Sequence, residues 1–225
     1  MAVTLTLTDK KPVVANIWLF TFAPSRPLEW TAGQFIKVEL PHDHPDAEGT
    51  KRFFTIASAP ADGTVQIATR ITHSSFKQAL TKLQVGDTLN IVDLPAGDFV
   101  WPTSPTRPLV YAAQGIGITP VRSMLRQRLA ERQLIPATLV YANLAPGIPF
   151  ADELTEWGSH PEFTLHQIGK PITAATLNEL IPHLTNALIY VTGPKSLAEL
   201  LMPPYNLPVS SIKHDQFPNY ATGDY

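Results

Sequence analysis

Two rhythms of hydrophobic and polar residues divide this chain. Over the first hundred residues apolar side chains recur at a period near two, as in Phe35-Ile36-Lys37-Val38-Glu39-Leu40, Val65-Gln66-Ile67 and Leu89-Asn90-Ile91. Turn residues such as Ala61-Asp62-Gly63-Thr64 and Gly86-Asp87 bound these runs, so the pattern predicts short half-buried strands. One helix interrupts them, with Ser74 or Ser75 as its cap and Phe76, Leu80 and Leu83 on one face. Together these elements predict a small antiparallel barrel carrying a single helix. The connector Trp101-Pro102-Thr103-Ser104-Pro105-Thr106-Arg107-Pro108 then brings a different texture. Beyond it the apolar runs are continuous: Leu109–Ala113, Ala137–Tyr141 and Ala187–Val191, as suits parallel strands buried on both faces. Between the first two, Val121–Leu134 reads as a helix with Val121, Leu125 and Leu129 inward and Arg122 and Arg126 on a solvated face. The expected fold class is β followed by α/β. An antiparallel six-stranded barrel spans residues 1–103, and a doubly wound parallel-sheet domain spans 104–225.

Composition narrows the function. Hydrophobic residues make up 44% of the 225 and charged residues 16%, enough apolar content for two cores. Basic and acidic residues number 9 and 10 in 1–103, and 8 and 9 in 104–225. Neither half carries the basic excess that nucleic acid requires. The chain has no cysteine, which excludes disulfides, thiolate metal sites, cysteine-ligated iron–sulfur clusters and thiol nucleophiles. Its start, MAVTLTLTDKKP, lacks a signal-peptide core, and no apolar run approaches a membrane span. A soluble cytoplasmic protein is expected.

Two segments carry candidate chemistry. Gln114-Gly115-Ile116-Gly117-Ile118-Thr119-Pro120 follows the first continuous run and opens the long helix. Glycines there permit a tight turn and let backbone N–H groups approach a pyrophosphate, with Thr119 as N-cap and Pro120 at the first helical position. An ordinary strand-to-helix turn accounts for the same residues, since the third glycine of the dinucleotide fingerprint is absent. Arg52-Phe53-Phe54-Thr55 lies in the strand region; Arg52 and Phe54 share a face and Thr55 takes the other. This set would clamp a phosphate and stack on a flat ring, or would simply be a sheet-edge arginine beside core aromatics. Other segments offer less. His42-Asp43-His44 has no third metal ligand in view, Gly193-Pro194-Lys195-Ser196 lacks the order of a phosphate-binding loop, and there is no nucleophile elbow. No metal site is expected.

Taken in chain order, these pieces resemble the ferredoxin–NADP reductase superfamily of flavoproteins. Ala32-Gly33-Gln34-Phe35 looks like the family's Gly-Gln-aromatic lead into a strand, and Arg52-Phe53-Phe54-Thr55 like its Arg-x-Tyr-Ser/Thr flavin motif, with Phe54 in place of tyrosine. Leu94-Pro95-Ala96-Gly97-Asp98-Phe99 is similar to the segment that closes the barrel, with Leu94 where glycine is usual. Gly115–Pro120 resembles the nicotinamide loop, Val191-Thr192-Gly193-Pro194 the late Cys-Gly-Pro element, and Asp215–Tyr220 the aromatic tail. The resemblance implies a flavin-binding barrel, a nicotinamide-binding domain and an NAD(P)H-dependent reductase. Hydride would pass from NADH or NADPH to FAD, rather than FMN, and electrons onward to a separate, unidentified acceptor. Arg52, Ser74 and Ser75 would hold the flavin phosphates, Phe53, Phe54 and Thr55 would lie at its ring, and Gly115, Gly117, Thr119 and Pro120 would receive the dinucleotide pyrophosphate. Gly193 and Pro194 would shape the nicotinamide pocket, Phe217 or Tyr220 would cover the flavin, and Thr55 and Thr192 would stand beside the reacting atoms. Thr192 replaces a polarisable cysteine, and Leu144 replaces an arginine that would hold a 2′-phosphate, which favours NADH. Two alternatives remain: an electron-transfer subunit active only within a complex, and a flavin reductase that releases reduced flavin.

Overall fold

The structure, a computed structural model, describes residues 3–103, 106–133, 135–194, 196–197, 201 and 211–215. Six antiparallel strands form the first sheet: β1 (Thr4–Val14), β2 (Ile17–Pro24), β3 (Phe35–Glu39), β4 (Lys51–Thr55), β5 (Val65–Arg70) and β6 (Thr88–Ala96), in the order β4-β3-β6-β1-β2-β5. Alternation decides which face is dry. Leu5, Leu7, Phe20, Phe22, Ile36, Val38, Val65 and Ile67 all point into one apolar cluster. The sheet curls so that its edges approach, and just past β4 the Ala57 N–H donates to Gln66 O of β5 at 2.8 Å. Helix α1 (Ser75–Lys82) lays Phe76 and Leu80, both fully buried, onto this cluster.

The second sheet is parallel, with β7 (Leu109–Gln114), β8 (Ala137–Ala142), β9 (Phe163–Ile168), β10 (Leu188–Thr192) and β11 (Ile212–His214) in the order β11-β10-β7-β8-β9. Strands β7, β8 and β10 coincide with the three continuous apolar runs. Side chains of one parity join a cluster with α2 (Ile118–Ala130) and α3 (Ala151–Gly158); those of the other parity pack with α4 (Ala174–Leu180). Chain order reverses between β7 and β10, and that reversal is the switch point at which open α/β sheets leave a ligand crevice. Among the described residues, no helix is long and apolar enough to cross a membrane.

Helix α2 corrects two expectations. It begins at Ile118 rather than Val121 and ends at Ala130. Its arginines are not a solvated face either, because the first sheet packs on that side. Arg122 is 3% exposed and reaches Ala57 O at 2.7 Å and Gln66 Oε1 at 2.8 Å on the first sheet's side. It also forms a bidentate pair with Glu153 of α3, at 2.7 to 3.1 Å. Arg126 likewise binds Asp62 at 2.7 Å. Leu19, Ala57, Ala68 and Phe99 of the first unit join the second unit's apolar cluster, apart from the cluster inside the first sheet, so the contact between the units is itself apolar.

Candidate active site

The crevice at the switch point is built from two loops that touch. Gly115–Gly117 leaves β7 as a 3₁₀ turn, and Thr192-Gly193 leaves β10 beside it. A Cβ on Gly117 would lie 2.6 Å from Gly193 N and 2.7 Å from Gly193 Cα, so only glycine allows this approach. The Thr192 hydroxyl locks the contact by donating to Gly117 O at 2.8 Å. Gly115 has φ +58°, and its carbonyl accepts from the Tyr141 hydroxyl at 3.1 Å. Thr119 is not the cap of α2. It lies inside the first turn, where its hydroxyl donates to Ile116 O at 3.1 Å, and Pro120 sits next to it, where a missing N–H costs no helix bond.

Gly115, Gly117, Gly193 and Pro194 line a cleft of about 280 Å³ with Arg70 and Asn143. Sequence reasoning missed Arg70, because it ends β5 of the other sheet. Its Nη2 lies 3.6 Å from where a Gly115 Cβ would stand, and its Nε is buried without a hydrogen-bond partner among the described residues. A guanidinium held over a glycine turn and a helix N-terminus is suited to an anion.

Where the two sheets meet, Thr55 at the end of β4 donates to Asp215 Oδ2 at 3.4 Å. Asp215 follows β11, with its N–H on Val191 O at 3.0 Å, and the Thr192 hydroxyl is near enough to bear on the carboxyl. Burial drives this carboxyl up and nearby Asp98 adds to that; the two threonine hydroxyls oppose them, and the group rests at about 7. A carboxyl that exchanges its proton near neutrality thus stands between the two residues expected beside the reacting atoms. Only its place in the Asp215–Tyr220 segment pointed to it. Phe217 and Tyr220 lie outside the described residues.

Comparison with known proteins completes this picture. Residues 112–202 match the family model described as oxidoreductase NAD-binding domain. The chain is 33% identical to methane monooxygenase component C of Methylosinus trichosporium over 143 residues, 62% of this chain and 37% of that protein. It is 33% identical to ferredoxin–NADP reductase B of Sorangium cellulosum over 139 residues, 60% of this chain and 55% of that protein. The flavohem-like FAD/NAD binding domain of nitric oxide dioxygenase from Vibrio cholerae O1 biovar El Tor superposes with a TM-score of 0.78 at 20% identity, covering 95% of this chain and 98% of that one. Residues 112–202 thus match an oxidoreductase NAD-binding domain, and the chain as a whole shares its fold with FAD/NAD binding domains. It spans about a third to a half of the length of the curated relatives it matches.

The segment Arg52–Thr55, expected to hold a flavin, has an unusual setting. Arg52 is 3% exposed and bound to the β3–β4 loop, with Ser74 Oγ at 3.4 Å from Nη2. Ser75 opens α1, and its N–H donates to Asp46 Oδ2 at 2.9 Å. Neither serine hydroxyl caps its own helix. Phe53 faces the opposite side and meets Phe35 edge-on at 5.6 Å. Phe54 is 7% exposed and packs at 5.7 Å on Phe76 inside the first core, because it shares the parity of Ile36 and Val38. That placement counts against its expected stacking on a flavin. The fit to a flavin rests instead on the donor set. The guanidinium of Arg52 and the amide of Ser75 are gathered around one carboxylate, a chemical stand-in for phosphate oxygens. His42 is engaged locally, with its ring nitrogens on Leu40 O and Ser75 Oγ.

Proposed function

We propose that this chain is an NAD(P)H-dependent flavoprotein reductase that passes electrons to a separate redox protein or small acceptor. The observation that carries the reading is the convergence of Thr55, Thr192 and the near-neutral carboxyl of Asp215 beside the Gly115–Gly117 crevice. A bound FAD supplies hydride acceptance and the release of electrons singly or in pairs. The chain supplies the rest. Gly115 and Gly117 let backbone approach the dinucleotide pyrophosphate, and Arg70 of the other sheet neutralises it, so binding clamps both units. Gly193 and Pro194 shape the nicotinamide end of the cleft. The Thr55 hydroxyl hydrogen-bonds the flavin edge, and Asp215 takes up or returns a proton at Oδ2 as charge changes there. Arg52, Ser74 and Ser75 serve the flavin phosphates. Several curated relatives are reductase components of oxygenase systems, among them that of terephthalate 1,2-dioxygenase from Comamonas sp., which supports a protein acceptor.

NADH is the favoured donor. At the end of β8, where a ribose is expected to dock, Asn143 spends both amide hydrogens on the carbonyls of Ala145 and Gly147, and Leu144 is 54% exposed. None of residues 143–147 is cationic, so this strand end itself offers no charge for a 2′-phosphate. Purified chain supplemented with FAD should show a flavin spectrum that bleaches on anaerobic NADH, with kcat/KM for NADH at least about tenfold above that for NADPH. Failure to bind flavin would overturn the reading, and a tenfold NADPH preference would overturn the donor choice. Turnover of an artificial acceptor by the isolated chain separates it from a subunit active only in a complex, and flavin retained through gel filtration separates it from a releasing flavin reductase.

A further inference from the structure

The loop between β3 and β4 closes over the donors that flavin phosphates would need. A guanidinium has five N–H donors, and the four on Nη1 and Nη2 of Arg52 are engaged. Nη1 donates to the carbonyls of Glu48, Gly49 and Lys51 at 2.8 to 3.0 Å, and Nη2 to Asp46 Oδ1 at 2.9 Å and Ser74 Oγ at 3.4 Å, while Nε stands 3.0 Å from Glu48 Oε2 as an ion pair. Asp46 grips the helix as well. Its Oδ2 accepts from the Ser75 N–H at 2.9 Å, and its own N–H donates to Ser75 Oγ at 2.9 Å. One carboxylate therefore bridges a guanidinium and the first amide of α1, a donor pair that binds phosphate. A phosphate can therefore take the Nη2 position only when Asp46 leaves it.

We propose that the segment 41–50 is an internal strap whose Asp46 carboxylate competes with flavin phosphate for the Arg52–Ser75 cradle, so that a phosphorylated flavin loads by displacing it. The proposal rests on the reading of Arg52 and Ser75 as phosphate ligands. The strap is built to leave. Pro41 and Asp43 through Glu48 are all exposed, and Glu48 is held only through Arg52 and a local turn on Asp46. Its roots are firmer, with His42 on Leu40 O and Ser75 Oγ at one end and the Leu40 N–H on Thr50 O at the other. Partial desolvation raises the Asp46 carboxyl, but hydrogen bonds from Ser75 and Arg52 outweigh it and bring the group to about 2, so the competitor is ionised at any physiological pH. Loading would then swap one anion for another on unchanged donors. The strap would also spare the empty protein a buried, uncompensated arginine.

The test compares riboflavin, FMN and FAD, which share a ring and differ in phosphate. Each is titrated into the full chain freed of flavin, wild type against Asp46→Asn, by quenching of flavin fluorescence. The variant keeps an acceptor for Ser75 but loses the charge. It should bind FMN and FAD about tenfold more tightly and riboflavin unchanged, since charge-assisted bonds of this kind are worth at least that factor. Independently of any variant, FAD should raise hydrogen exchange of wild-type residues 41–50, whereas riboflavin should not. If FAD binds the wild type and Arg52→Ala weakens it, but Asp46→Asn and strap exchange show no phosphate-dependent effect, the strap is not a competitor and the flavin reading stands. An equal gain for all three flavins also refutes competition. If no flavin binds either protein, the flavin reading falls and takes the strap with it.

Discussion

Arg122 offers the sharpest test of how the two sheets are joined. It is 3% exposed, yet its guanidinium makes three hydrogen bonds to Glu153, one each to Ala57 O and Gln66 Oε1, and lies over the face of Phe150 at 4.5 Å. Replacing it with alanine leaves the Glu153 carboxylate, only 23% exposed, with Arg126 Nη1 at 3.7 Å as its remaining cation, and the Ala57 carbonyl without that donor. Removing one member of a buried pair costs about 3–5 kcal/mol, a large share of the ~5–15 kcal/mol that folds a protein. At about 2–4 °C per kcal/mol for a chain this size, Tm should fall by roughly 6–20 °C. The double variant Arg122→Met with Glu153→Leu removes both charges and keeps apolar volume, so it should recover at least about half of that loss. Thermal unfolding followed by circular dichroism measures both. A loss below about 1 kcal/mol in Arg122→Ala, or a double variant no better than the single, would show that the pair does not join the units as its geometry implies.

Gly117→Ala should be disproportionately harmful for one methyl group. The added carbon would meet the Thr192–Gly193 backbone at 2.6 to 2.7 Å, forcing the two crevice loops apart. The expected result is a stability loss of about 1–3 kcal/mol together with a raised KM for NADH, and normal values for both would exclude the close approach. Asp215 should leave a signature in stability against pH. Its folded value of about 7 lies above its ordinary 3.8, so the fold favours the protonated form. That contribution is complete below about pH 4 and disappears as pH rises through 7, amounting to about 2 kcal/mol between pH 5 and 8. Asp215→Asn should flatten this slope in urea titrations, and an unchanged slope would place the titrating group elsewhere.

What could be read from residue order alone was whatever depends on neighbours. A period of two predicts a sheet with one dry face, and Ile36, Val38, Val65 and Ile67 do line the first core. Continuous runs predict strands covered on both faces, and Val110, Tyr111, Val140, Tyr141, Ile189 and Tyr190 are all buried. The glycines of the first crevice loop were visible because a turn writes its requirement into the residue that makes it, whereas Gly193 entered only through the family resemblance. The same logic misplaced Arg122, since helical periodicity marks its face as polar without saying whether water or a second sheet lies against it. It also put Phe54 toward a ligand, although its parity with Ile36 and Val38 turns it into the core. Tertiary packing decided the chemistry. Thr55 and Asp215 are 160 positions apart, and Arg70 crosses from one sheet to the other's glycine turn. Asp46 was legible only as part of an acidic loop until folding set it on Arg52 and Ser75. Periodicity carries the short-range demand to bury apolar surface, whereas charges and donors find partners wherever two surfaces meet, and that meeting exists only in the folded chain.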